Sequence, residues 1–145
     1  MQNVMNDTAK ITIETVVNAP LDRVWAAWNT PADIQKWNAA SDDWHTTHSS
    51  VDLREGGAFR SRMEAKDGSF GFDFEGVYTR IVPGQSIAYR MGDGREVTVE
   101  FAAATEGVRV TETFDAETEN SLELQRQGWQ AILDNFGRHV EAGAR

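Results

Sequence analysis

The chain has 145 residues, 40% hydrophobic and 26% charged, with a formal net charge of −9 from 23 acidic and 14 basic side chains. That length suits one domain over residues 1–145, and the acidity argues against nucleic acid or an anionic membrane surface as a partner. No apolar run approaches the ~20 residues a bilayer requires, and the lack of cysteine excludes disulfides, thiolate metal sites and a cysteine nucleophile.

The opening MQNVMNDTAK is polar and has no apolar signal core, so a cytoplasmic protein with a flexible segment over residues 1–9 is expected. Residues 10–17, KITIETVV, alternate as a strand, with Ile11, Ile13 and Val17 on one parity. Asn18-Ala19-Pro20 then reads as a helix start, with Asn18 or Ala19 as cap and Pro20 in the first turn. The helix LDRVWAAW carries a short apolar face of Val24, Trp25 and Trp28, and Thr30-Pro31 separates it from a second short helix over residues 32–37.

From Trp44 the period changes to two, with turn signals at Glu55-Gly56-Gly57, Lys66-Asp67-Gly68, Pro83-Gly84 and Gly92-Asp93-Gly94. Six strands fit, near 44–54, 57–65, 69–82, 86–91, 95–103 and 107–115. The connections are too short for crossovers, so they form an antiparallel meander. Parity places Val51, Leu53, Phe59, Met63, Phe70, Phe72, Phe74, Ile87, Tyr89, Met91, Val97, Val99, Phe101, Val108, Val110 and Phe114 on the covered face. Arg60, Arg62, Asp73, Glu75, Thr98, Glu100, Arg109 and Thr111 look to water.

Residues 120–141 then form a long amphipathic helix. Leu122, Trp129, Ile132, Leu133, Phe136 and Val140 make its apolar stripe, and Asn120 with Glu123 has the form of a capping box. Gly128 and Gly137 each cost about 1 kcal/mol relative to Ala inside a helix. Such a bare backbone accommodates either tight packing on the sheet or one wall of a cavity. The class is therefore α+β, in the order strand, two helices, six strands, long helix.

These residues resemble the START/birch-pollen-allergen superfamily, also called SRPBCC, and within it the bacterial proteins similar to the heat-shock-protein ATPase activator, the Aha-type co-chaperone. The resemblance runs from Ile11 to about Val140. It rests on Ala19-Pro20 and Val24-Trp25 after the opening strand; on Trp37 closing the second helix; on Val51-Asp52-Leu53-Arg54 before Gly56-Gly57; on Gly76, Ile81 and Pro83; and on Gly128-Trp129 with Leu133. It implies a helix-grip fold: a curved antiparallel sheet wrapped around a long C-terminal helix, often enclosing an elongated apolar cavity. Relatives include lipid and hormone carriers, polyketide cyclases and aromatases, and co-chaperone modules linked to stress responses. The resemblance implies architecture rather than ligand.

Within that fold, Trp37, Trp44 and Trp129 are the tryptophans expected at the cavity, whereas Trp25 and Phe136 are expected in the core. Phe59, Met63, Phe72, Phe74, Tyr89, Met91 and Phe101 would add apolar wall from the covered face. Glu112 shares the parity of Val108, Val110 and Phe114, which aims a carboxylate at that face, where it is costly and its pKa tends upward. Alternatively a bulge turns it out, or it pairs with Arg126 or Arg109. Gln125, Tyr78 and Tyr89 are further polar groups for the same cavity.

His45 and His48 sit close to Asp42 and Asp43, but on a regular strand their parities oppose and they cannot share an ion, so no metal is expected. His139 is expected to complement the dipole of the last helix. No Gly-rich stretch matches a phosphate loop, and no cofactor is expected. The leading expectation is a binding protein for a small hydrophobic, aromatic or lipid-like molecule. The alternatives are a cavity enzyme of the cyclase or aromatase kind, and a co-chaperone-like module meeting a protein partner through its outer surface.

Overall fold

The computed structural model describes residues 9–143. The elements are β1 (Lys10–Val17), α1 (Leu21–Asn29), α2 (Pro31–Trp37), β2 (Trp44–Val51), β3 (Ala58–Ala65), β4 (Gly71–Val82), β5 (Ser86–Met91), β6 (Glu96–Ala104), β7 (Gly107–Asp115) and α3 (Leu122–Gly143). All sheet neighbours are antiparallel, in the order β1-β7-β6-β5-β4-β3-β2. The meander makes a curled seven-stranded half-barrel, and the fold is the α+β helix-grip. The expected flexible segment lies outside the described residues except for Ala9, whose carbonyl accepts from the Ala116 amide at 2.8 Å.

Local chemistry explains the breaks. Gly56, Gly68, Gly84 and Gly94 have φ between +74° and +94°, a region open to glycine at little cost, and each stands at one of the expected turns. Pro20 is the residue before α1 rather than a member of its first turn, and its carbonyl accepts from the Val24 amide at 3.0 Å. Neither Asn18 nor Ala19 caps that helix. At α3 the cap is Ser121, whose hydroxyl accepts from the Leu124 amide at 3.0 Å. The capping box does not form: the Asn120 backbone amide, which the box would give to Glu123, donates to the Glu117 carboxylate at 2.8 Å.

Helix α3 is fastened along the β1 edge of the sheet. The Arg126 guanidinium donates to the Thr12 carbonyl at 2.9 Å, the Gln130 amide to the Glu14 carbonyl at 3.1 Å, and the Glu141 carboxylate accepts from the Asn18 amide at 2.9 Å. These bonds occupy groups that an edge strand otherwise leaves open. Gly137 faces this contact: a Cβ there would lie 3.7 Å from Val17 and 3.8 Å from Thr15, ordinary packing distances. At the opposite edge the Gln35 amide donates to the Thr47 carbonyl of β2 at 2.7 Å. His139 joins α3 to α2, with Nε2 2.8 Å from the Asp33 carboxylate, rather than serving the helix dipole alone.

Leu133, Phe136 and Val140 of α3 meet Val17, Val24, Ile87, Val97, Val99, Val110 and Phe114 in a core where each is at most 1% exposed. Burial on this scale contributes about 1.5–3 kcal/mol per large apolar side chain. Among the expected apolar residues that fall outside it, Phe72 is 41% exposed. Leu122 is half-exposed in the first turn of α3, Leu53 lies past the end of β2, and Phe70 is 63% exposed in the turn before β4.

The histidine parity also changes. A bulge between Thr46 and His48 inserts one residue into β2, so His45 pairs with Glu64 and His48 with Arg62, both on the outer face. The opposition expected from a regular strand therefore does not exist. Among the described residues, no group of three or more His, Asp or Glu is gathered as a metal site.

Candidate functional site

Because α3 leans on β1 and on α1 and α2, its N-terminal half stands clear of β3, β4 and β5. The sheet curls past it and leaves a cavity of about 420 Å³, within the usual range for small-molecule sites. Trp28, Ile34 and Trp37 close one end. The sheet supplies Phe59, Met63, Phe72, Phe74, Tyr78, Tyr89, Met91 and Glu112, and α3 supplies Leu124, Gln125, Gly128, Trp129, Ile132 and Leu133. Nothing lies within 4 Å of where a Cβ on Gly128 would stand, so this glycine opens onto the cavity while Gly137 packs on β1.

The walls are ordered by ring contacts. Trp129 stacks on Phe114 with centroids 3.9 Å apart and planes 9° from parallel, and presents its edge to Phe74 at 6.2 Å. Phe59 meets Tyr89 edge-on at 4.7 Å and Tyr78 at 5.3 Å. At the closed end, Trp28, Trp37 and Phe136 lie 4.9–5.0 Å apart, and the Trp37 indole donates to the Ala27 carbonyl at 2.9 Å. Such pairs contribute about 0.5–1.5 kcal/mol each beyond area burial and hold the rings in place.

Two expected site residues stand elsewhere. Phe101 is buried, but Trp25 and Trp28 of α1 cover its ring at 5.2 and 6.1 Å and separate it from the cavity. Trp44 packs against Phe70 and Phe72 at 6.0 and 5.9 Å, just outside the lining. The other ten, Trp37, Phe59, Met63, Phe72, Phe74, Tyr89, Met91, Glu112, Gln125 and Trp129, all line it. Trp28, Ile34, Arg95 and Leu124 were absent from the expected set. Trp28 had a signal in the apolar face of α1, whereas Arg95 had none, since a cation beside a turn normally faces water.

Glu112 is the chemically distinctive group. Its strand runs in unbroken register against both β1 and β6, opposite Ile13 and Val99, so no bulge turns it outward. Arg126 is committed to Thr12 and lies near Glu123, and Arg109 is exposed on the other face. Glu112 is 6% exposed with no cationic partner among the described residues, and burial alone pushes its carboxyl up to about 8. At neutral pH it is mainly the protonated acid, able to donate as well as accept.

Burial, helped by the Asp52 carboxylate, pushes the Tyr78 phenol up to about 12. Burial raises the Tyr89 phenol well above its ordinary value, with Glu112 and Tyr78 adding to it and Arg95 opposing. Gln125 is saturated: its amide nitrogen donates to the Glu117 and Asn120 carbonyls at 3.1 and 2.9 Å, and its oxygen accepts from the Glu117 amide at 2.9 Å. It locks the loop between β7 and α3, and the acid and the two phenols are among the polar groups that face the cavity.

Residues 18–141 match the family described as Activator of Hsp90 ATPase homolog 1-like protein. The solution structure of the AHSA1-like protein from Aeromonas hydrophila is 53% identical, covers 93% of this chain and 94% of its own, and superposes with a TM-score of 0.88. Chr148 from Cytophaga hutchinsonii is 45% identical over 92% of this chain and 93% of its own, with a TM-score of 0.80. CV1439 from Chromobacterium violaceum is 26% identical over 91% and 96%, also at 0.80. Curated proteins give no match. On the family match and these two closer likenesses, the chain belongs to the Activator of Hsp90 ATPase homolog 1-like family, an SRPBCC-type domain.

Proposed function

We propose that this protein binds a small, largely hydrophobic molecule in the cavity between the curled sheet and α3, using its own side chains alone. The SRPBCC fold commonly binds such ligands. The observation that carries the reading here is an aromatic-walled space of about 420 Å³ with few polar groups convergent on it. Flat or extended apolar molecules suit it, because Trp129, Phe74, Phe59 and Tyr89 offer ring faces and edges without rearrangement. The test is an amide proton–nitrogen NMR titration with fatty acids, flavonoids and polycyclic aromatics. Saturable shifts confined to residues lining the cavity support the reading. A dispersed spectrum with no shift from any compound refutes it and favours a protein partner at the outer surface.

A second reading is favoured by one specific observation, the buried acid Glu112, unpaired among the described residues, beside Tyr89. A carboxyl held near 8 is matched to proton transfer at neutral pH, as in cyclase-type chemistry inside an apolar cavity. Turnover of a bound polyketide-like substrate that disappears in Glu112→Gln while binding persists would establish it; unchanged turnover in that variant would exclude Glu112 as the acid.

A further inference from the structure

Glu112 poses a question that apolar binding leaves unanswered. A buried polar group costs free energy unless it is paired, yet among the described residues nothing hydrogen-bonds this carboxyl and no cation stands close enough to affect it. The charged and titratable groups that share its cavity are Tyr78 from β4, Tyr89 from β5, Arg95 from the turn between β5 and β6, and Glu117 from the loop before α3. None of them satisfies it. Arg95 is held by the Asp93 carboxylate at 2.8 Å, and Glu117 accepts from the Glu119 and Asn120 amides at 2.7 and 2.8 Å. β1 and β6 bring Ile11, Ile13, Thr15, Val17, Val97, Val99 and Phe101 to this face, none of them titratable, and α3 brings Gln125, Gly128 and Trp129.

We propose that Glu112 is the recognition group for a basic amine, so that the cavity takes an apolar ligand carrying one such nitrogen. This rests on the reading of the cavity as a ligand site and deepens it. Three observations point to a cation rather than to a neutral or acidic head group. The buried carboxyl has no hydrogen-bonding or cationic partner among the described residues, and a ligand ammonium becomes both once the carboxyl gives up its proton. The rings of Tyr89, Phe74 and Trp129 provide faces that attract a cation. The chain carries a net charge of −9, which raises the local concentration of cationic ligands and opposes anionic ones.

The proton balance is simple. At pH 7 the free Glu112 carboxyl holds its proton and the amine is already an ammonium ion. On binding, the carboxyl O–H breaks, its proton passes to the buffer, and an N–H donor of the ligand meets the carboxylate. Binding of the amine therefore releases nearly one proton, and its affinity rises with pH until Glu112 is ionised in the free protein. It falls again only when the amine itself loses its charge.

Naphthylmethylamine and its neutral analogue naphthylmethanol are the probes. Calorimetry at pH 7 in two buffers of different ionisation enthalpy measures affinity and proton release together. The amine is expected to bind about tenfold or more tightly than the alcohol and to release a proton that the alcohol does not, since charge-assisted hydrogen bonds exceed neutral ones by about that factor. In Glu112→Gln both the preference for the amine and the proton release disappear. Equal affinities without proton release in the native protein overturn the amine assignment and leave the apolar cavity standing. Binding of neither probe overturns both. The native protein's proton release decides the matter even if the variant does not fold.

Discussion

Replacing Glu112 by Gln tests the electrostatics of the cavity without any ligand. In the unfolded chain the carboxyl ionises near its ordinary 4.5, whereas burial holds it at about 8 in the fold. Between those values the folded protein keeps a proton that the unfolded chain has lost, so raising the pH favours unfolding. The stability associated with the neutral acid is complete below 4.5 and is lost as the pH rises through 8. At about 1.4 kcal/mol per pH unit over that window, the loss reaches about 5 kcal/mol. Total stabilities of small domains are about 5–15 kcal/mol, so this one residue makes the protein visibly weaker under alkaline conditions. The variant has the same shape and no titration. Urea unfolding of both proteins from pH 5 to pH 9 should show the variant gaining on the native chain steadily up to about pH 8, with every other titrating group cancelling in the difference. A difference that stays constant across the range would refute the reasoning, because it would mean that Glu112 is paired or hydrated in the fold.

Other substitutions probe the helix and its anchoring. Gly128→Ala should raise stability by about 1 kcal/mol, read from the urea midpoint, because a helix-interior glycine is replaced where no atom lies within 4 Å. Gly128→Leu should fold but fill the cavity, and loss of naphthylmethanol binding by calorimetry checks it. Gln125→Ala removes three hydrogen bonds from the loop before α3 and should cost about 1–3 kcal/mol, with faster hydrogen exchange at the Glu117 amide. Phe136→Ala, at a fully buried ring wedged between Trp28 and Trp37, should cost about 3–5 kcal/mol in the same unfolding assay.

The expected site residues that fell outside the cavity share a cause. Phe101 has the right parity, but α1 crosses β6 and places Trp25 over it, and nothing in a strand's alternation records where a helix much earlier in the chain will lie. Trp44 is likewise inward-facing, yet it stands at the margin, where its neighbours Phe70 and Phe72 are themselves exposed. The bulge at Thr47 reversed the expected separation of His45 and His48, and neither glycine nor proline marks it. It shows only in the pairing with β3. Leu122 matched the helical stripe, but one turn of helix before the sheet begins to cover α3 has nothing to pack against.

What the chain's own order of residues determined was local: where the period is two or 3.6, where glycine and proline interrupt it, and which side of each strand is apolar. Those signals were enough for the element order, the meander and the aim of Glu112 toward the covered face, because each depends on neighbours within a few positions. Tertiary structure alone decided which part of that covered face is packed core and which part is cavity wall. The distinction depends on α3 docking along the edge of β1, through Arg126, Gln130 and Glu141, and so standing away from β3 to β5. A void is an absence of contact between segments far apart in the chain, and so is the lack of a partner for Glu112 among the described residues. Neither leaves a periodicity behind, which is why both had to be seen in three dimensions.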